Sequence, residues 1–203
     1  MTVVICVSSD DIIAFGSDSR ATIVSPEGSC CIGTINNNKI ICENKVLLTC
    51  GRGYMAQTYV DEFNQLLKEL HHQDNELLNK VSSLSDYFGR DFCRKKYQEA
   101  FRDFDLNPYL GFILAGIEDG KPKMYKINNI NNFEPELGER NFISDCTDRH
   151  DGIAQYLLNR IFTQGIDLEG VDDLLYLVHF VISETIISNT SNTGFPINIG
   201  YIT

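Results

Sequence analysis

The sequence predicts a layered α+β fold, and two observations favour it over a doubly wound parallel sheet. Short apolar runs bounded by turn residues predict strands that pair as hairpins. Between these runs lie paired longer segments whose apolar residues recur at helical spacing. The predicted order is strands, two helices, strands, two helices and a last strand. Antiparallel strands separated by helix pairs indicate packed layers of sheet and helix.

Two hairpins are predicted in the first quarter of the chain. Residues 2–8 and 12–18 are apolar runs joined by a polar turn at 9–11. A second hairpin lies within residues 36–53, where "KIIC" and "VLLTC" flank a turn at 43–44. Both have the composition of strands that bury at least one face.

The remaining elements follow in the same alternation. Helices are predicted from about residue 54 and over about 76–104, the second ending before Asn107-Pro108. The later predicted strands are 109–117, 123–127, 141–145 and the closing segment 196–203, and the later helices are 149–163 and 169–188. No linker or repeat interrupts this order, so we expect one domain over residues 1–203.

Composition narrows the class of protein. The 203 residues are 43% hydrophobic and 22% charged, which is typical of a globular protein, and the net charge is −11. A negative chain is repelled by nucleic acid and by anionic membranes, so we expect neither as a partner. Residues 1–25 lack the features of a signal peptide. The longest apolar run, 174–188, contains His179 and Glu184 and is too short to span a bilayer.

The cysteines and histidines indicate no metal site. No C-x-x-C pair occurs, and most of the cysteines lie among Val, Ile and Leu, which predicts small reduced core residues. The cysteines are Cys6, Cys30, Cys31, Cys42, Cys50, Cys93 and Cys146. The four histidines, His71, His72, His150 and His179, show no metal-ligand spacing. We therefore predict a cytoplasmic protein without metal or cofactor.

The first hairpin brings chemically useful residues together. A turn centred near Asp10 makes the numbers of facing residues add up to about 20, which places Thr2 beside Asp18. Facing residues of an antiparallel pair lie about 4.5–5.5 Å apart at Cα. Arg20 follows just beyond. The simpler interpretation is that Thr2 only begins a strand and that Asp18 and Arg20 form an exposed ion pair.

Removal of Met1 would place an α-amine and a hydroxyl on the same residue, Thr2. Such an amine has a pKa of about 7.7–8.0, so part of it is neutral at pH 7 and accepts the hydroxyl proton. This pairing is the N-terminal-threonine form of an activated nucleophile.

The segment "TVVICVSSDDIIAFGSDSRAT" resembles the start of mature proteasome β-type subunits, including their bacterial relatives. The segments "NNNKII", "LLTCGRGYMAQ", "YLGFILAGIEDGKPKMYKI" and "GFPINIGYIT" resemble later parts of the same family. The resemblance implies an N-terminal-nucleophile hydrolase with a four-layer αββα sandwich, in which helices cover two packed antiparallel sheets.

The resemblance also implies roles for particular residues. Thr2 would be the nucleophile and, through its amine, the base; Asp18 would orient Lys39, which would tune the hydroxyl and the amine. The backbone N–H of Gly51 would stabilise the oxyanion, with Gly53 as a rival, and Arg20 would support Asp18 or line the cleft. Other implied positions are Asp145 in place of a family Ser, Thr190 and Thr193 near the last strand, and Ile32 and Met55 in the specificity pocket.

Three functions follow as hypotheses. The first is a threonine-dependent hydrolase of peptides, assembled into a ring or another homo-oligomer, with an ATPase partner left open. The second is a catalytically silent subunit that keeps the fold for assembly. The third is a hydrolase of small amides with the same fold.

Overall fold

The computed structural model describes residues 2–24, 31–36, 40–42, 45–51, 94–95, 98, 109–138, 141–146, 151–166, 168, 170–188 and 194–203. Most of these residues form strands and two helices, and residues 94, 95 and 98 are also helical. The strands are β1 (Val3–Ser9), β2 (Ile12–Asp18), β3 (Arg20–Val24), β4 (Cys31–Asn36), β5 (Ile40–Cys42), β6 (Lys45–Gly51), β7 (Leu110–Glu118), β8 (Lys121–Asn128), β9 (Glu136–Leu137), β10 (Phe142–Cys146) and β11 (Ile197–Ile202). The helices are α1 (Asp151–Thr163) and α2 (Val171–Ser188).

The strands form two main antiparallel sheets. Sheet I has the order β10-β1-β2-β11, and sheet II has the order β5-β6-β7-β8-β9. Both predicted hairpins are confirmed, as β1–β2 and β5–β6. A third hairpin, β3–β4, was not predicted, because the Pro, Gly and Ser residues within 25–30 obscure the strand pattern on either side.

The core of the protein has two parts because both faces of β1 are covered. Val4 and Cys6 face sheet II and pack with side chains of β6 and β7. Val3, Ile5 and Val7 face the opposite way and pack against α1 and α2. A strand buried on both faces needs a continuous apolar run rather than an alternating one. This requirement explains "VVICV" at the start of the chain.

Two sequence predictions about the core are confirmed in the described residues. Cys6 and Cys50 are free thiols, buried in the core between the sheets. The two later helices lie where helical spacing placed them, within two residues at each end. The two earlier predicted helices, from about 54 and over about 76–104, lie almost entirely outside the described residues. No helix in the described part of the chain is long and apolar enough to cross a membrane.

Gly16 lets α2 lie close against sheet I. A Cβ atom at this position would lie 2.6 Å from Val178 Cγ1, 2.8 Å from Ile182 Cδ1 and 3.0 Å from the carbonyl oxygen of Asn198. The first two contacts are with α2 and the third is with the neighbouring strand β11. Glycine is therefore required for the packing of this helix on the sheet that contains Thr2.

One charged side chain is buried in sheet II. Lys45 is only 5% exposed, and its Nζ atom has no hydrogen-bond partner among the residues that the structure describes. Burial lowers the pKa of this ammonium from 10.5, and the charge of Glu118 opposes the shift in part. Lys45 therefore loses its proton at a lower pH in the folded protein than in the unfolded chain.

We expect Gly16→Val to lower the free energy of unfolding by about 1–3 kcal/mol, because the added side chain overpacks the α2 contact. Chemical denaturation measures the loss. The control is Gly152→Ala, since a Cβ atom at Gly152 meets nothing within 4 Å. Equal stability of Gly16→Val and the wild type would contradict the close approach.

We expect Lys45→Met to stabilise the protein at pH 7, because it removes a desolvated charge but keeps the apolar stem. The unfolded chain binds more protons than the folded one between the lowered pKa and 10.5, so wild-type stability rises with pH over that window. The advantage of the Met variant should shrink as the pH approaches 10.5. Denaturation at several pH values tests this, with the exposed Lys121→Met as control; a less stable Lys45→Met protein would refute it.

Candidate active site

The register of the first hairpin differs by one residue from the prediction. Val4 pairs with Ser17 and Ser9 pairs with Ile12, so the numbers of paired residues add up to 21. The turn contains only two residues, and the positive φ of 45° at Asp10 accommodates it. Asp18 therefore falls opposite Val3, and the prediction that it directly faces Thr2 is wrong by one position.

Asp18 nevertheless reaches the chain start. Its carboxylate is fully buried and accepts a hydrogen bond from the backbone N–H of Val3, at 3.0 Å. It also accepts from the backbone N–H groups of Arg20, at 3.2 Å, and Gly194, at 3.3 Å. Thr2, whose own backbone adjoins Val3, is 5% exposed. The alternative of an exposed ion pair is therefore wrong for Asp18.

Arg20 packs over the segment that precedes β11. A Cβ atom at Gly194 would lie 3.0 Å from Arg20 Nε and 3.3 Å from Arg20 Cζ. The backbone N–H of Ser19 donates to the carbonyl of Gly194 at 3.3 Å, and the Ser19 hydroxyl donates to the carbonyl of Pro196. The start of the chain, the end of β2 and the approach to β11 thus meet around one carboxylate.

Gly51 is the last residue of β6 in sheet II, where its backbone pairs with Leu110. Several other residues with implied roles lie outside the described part of the chain. These are Lys39, Gly53, Met55, Thr190 and Thr193, while Ile32 is described only as a backbone position in β4. The contact between Lys39 and Thr2 therefore stays a prediction.

Asp145 lies in a second polar cluster, between the two sheets. It pairs with Val4 across β10 and β1, and its side chain is fully buried. Lys126 Nζ lies 3.0 Å from Asp145 Oδ1, and the Tyr109 hydroxyl donates to the same oxygen at 2.5 Å. Lys126 also donates to the carbonyl of Ser144, at 3.3 Å. Asp145 is therefore held by charged and neutral donors from sheet II.

Sequence reasoning missed Tyr109 and Lys126 as partners of Asp145. The signal that could have found Lys126 is its position two residues after Met124, on the face of β8 that packs against sheet I. A lysine at a strand position that faces the other sheet indicates a buried anion as its partner, because pairing offsets the cost of burying its charge. Gly111 completes the cluster, because a Cβ atom there would lie 2.0 Å from Asp145 Oδ2.

Other kinds of site find no support within the described residues. No group of three or more His, Cys, Asp or Glu side chains in this part of the chain is arranged to hold a metal ion. A surface hollow with a mainly apolar lining lies in the helical layer, between α1 and α2. Its lining includes none of the predicted site residues.

Two packed antiparallel sheets, with α1 and α2 on the outer face of sheet I, match the fold of the proteasome-like N-terminal-nucleophile hydrolases. The predicted αββα class and the predicted resemblance to proteasome β-type subunits are thereby confirmed at the level of the fold. Three solved structures show this likeness.

A mutant of Anbu from Hyphomicrobium sp. strain MC1 has a TM-score of 0.68 and 18% identity, covering 98% of this chain and 80% of that one. Anbu, an ancestral beta-subunit, from Yersinia bercovieri has a TM-score of 0.67 and 15% identity over the same shares. HslV from Trypanosoma brucei has a TM-score of 0.62 and 10% identity, covering 98% of both chains. No protein-family model and no curated protein sequence matches the chain.

We expect Asp18→Asn to lower the free energy of unfolding by about 1.5–3 kcal/mol, the usual range for hydrogen bonds to a charged group. The asparagine side chain has an NH2 group in place of one carboxylate oxygen. That donor would face backbone N–H groups, which are donors as well. Denaturant unfolding measures the effect. Asp10→Asn is the matched control, because Asp10 is exposed at a positive φ that asparagine tolerates. Equal effects of the two substitutions would contradict the role given to Asp18.

Proposed function

We propose that this protein is a threonine-dependent amide hydrolase whose nucleophile is Thr2, exposed by removal of Met1. The observation that carries the proposal is the Asp18 carboxylate, which binds the backbone directly after Thr2, the neighbouring amide of Arg20 and the distant amide of Gly194. A chain start normally frays. Thr2 and Val3 are instead buried, and the backbone of Val3 is bound by Asp18, as a nucleophile at a chain terminus would require.

In this mechanism the Thr2 hydroxyl gives its proton to its own α-amine while the oxygen attacks the substrate carbonyl. The N–H of Gly51 stabilises the oxyanion; loss of one such donor lowers the rate of other enzymes by about 10²–10³-fold. The amine then protonates the leaving nitrogen, and an ester on Thr2 remains. Water hydrolyses that ester. Lys39 supplies positive charge that favours the alkoxide.

Peptides are the substrate class that the fold favours, and small amides are the alternative. The likeness to Anbu, an ancestral beta-subunit, supports self-association into a ring or another homo-oligomer. An ATPase partner would fit the same organisation.

A catalytically silent subunit is the second candidate. The observation that favours it is the engagement of Asp145 by Lys126 and Tyr109, which directs this carboxylate to sheet II. The resemblance implies that an active subunit uses this position to support the terminal amine, so contacts of Asp145 with other groups favour a silent subunit. The two candidates differ in the state and the reactivity of Thr2.

We expect the mature protein to lack Met1 and to form an adduct at Thr2 with a peptide epoxyketone. The reagent uses the hydroxyl and the α-amine of one residue, so it requires a free N-terminal threonine. Intact mass followed by peptide mapping locates the adduct.

Thr2→Ala should abolish the adduct, and Thr203→Ala should keep it, since Thr203 is an exposed threonine at the other end of the chain. Retained Met1, or no adduct on protein that lacks Met1, would favour the silent subunit. A panel of peptide and acyl-amide substrates then separates the two hydrolase hypotheses.

A further inference from the structure

The cluster around Asp145 bridges the two sheets. Asp145 belongs to β10 in sheet I, whereas Tyr109 immediately precedes β7 and Lys126 belongs to β8, both in sheet II. Side chains of opposite charge thus meet across the layer boundary. Elsewhere that boundary is lined with apolar side chains such as Val4, Cys6 and Ile113.

The cluster is closely packed in the interior of the protein. The Asp145 side chain is fully buried, and that of Lys126 is 22% exposed. A Cβ atom at Gly111 would lie 2.0 Å from Asp145 Oδ2 and 2.8 Å from the Tyr109 hydroxyl, so only glycine leaves room for both groups. Charge-assisted hydrogen bonds are short and directional, whereas apolar contacts permit sliding.

The cluster also adjoins both proposed reacting groups. In sheet I, Asp145 pairs with Val4, two residues after Thr2. Continuing that register puts Asp145 in a diagonal position to Thr2, where such neighbours lie about 7–8 Å apart. In sheet II, Leu110 lies between Tyr109 and Gly111 and pairs with Gly51.

We propose that Tyr109, Lys126 and Asp145 are positioning residues that set the distance between Thr2 on sheet I and Gly51 on sheet II. This inference rests on the proposed function, because it concerns how the nucleophile and the oxyanion donor are held apart. The two groups lie on different sheets, so the distance between them depends on how the two sheets pack. An error of about 1 Å in such a separation lowers a rate by about 10²-fold.

The experiment compares two reagents that carry the same peptide, acetyl-trileucine p-nitrophenyl ester and acetyl-trileucine vinyl sulfone. With the ester, Thr2 Oγ bonds to the carbonyl carbon, its proton passes to the α-amine, an oxyanion forms and p-nitrophenolate leaves. With the vinyl sulfone, Oγ bonds to the vinyl carbon that is attached to the peptide, and the vinyl carbon next to sulfur takes up the proton. Only the ester reaction needs Gly51.

Lys126→Met and Tyr109→Phe should each slow acylation by the ester by about 10–100-fold, while the vinyl sulfone rate changes little. The double variant Lys126→Met with Asp145→Asn keeps the volume of the cluster and removes both charges. It should show the same selective loss. Lys121→Met and Tyr176→Phe are the matched controls, because both side chains are exposed and lie away from the cluster.

An equal loss with both reagents, or no loss with either, would overturn the proposal. Hydrogen exchange at the amides of Cys50 and Gly51 gives a readout that does not depend on activity. If Lys126→Met speeds exchange at these two amides relative to the wild type, and does so more than at the amides of β2, the result supports the bridge. Exchange that is unchanged from the wild type overturns it. A wild-type protein that reacts with neither reagent would refute the hydrolase function, and the exchange measurement would still decide whether the cluster holds β6 in place.

Discussion

Three backbone segments depend on the carboxylate of Asp18 for their mutual position. The N–H groups of Val3, Arg20 and Gly194 all donate to it, and these residues are far apart in the sequence. A buried carboxylate is costly unless its charge is met by hydrogen bonds. Because three amides meet that requirement, this charge stabilises the junction between the chain start, the end of β2 and the approach to β11.

In the second buried carboxylate, the Oδ1 atom of Asp145 is bound by a different route. Asp145 lies in the boundary between the layers, where the backbone amides of the sheets already take part in strand pairing. Its partners are therefore side chains, the ammonium of Lys126 and the phenol of Tyr109. Asp18 organises backbone within sheet I, and Asp145 links sheet I to sheet II. A site built from both sheets needs the two kinds of contact.

Much of the fold was predictable because burial leaves a periodic pattern. The continuous apolar run of β1 and the helical spacing in α2 located those elements within about two residues. The hairpin β3–β4 was missed, since the Pro, Gly and Ser residues within 25–30 obscure the strand pattern on either side. The register of β1–β2 was displaced by one residue, because the exact length of a turn depends on a local conformation, the positive φ of Asp10.

The sequence alone determined the layered class, the resemblance carried by "DSRAT" and the candidates Thr2, Asp18 and Arg20. These depend on local composition, hairpin geometry and short motifs, which neighbouring residues establish among themselves. Only the tertiary structure decided which groups satisfy the buried carboxylates. Gly194 reaches Asp18, and Lys126 reaches Asp145, from segments distant in the chain. Such contacts depend on how two sheets stack, and no local pattern specifies the partner of a charge across a layer boundary.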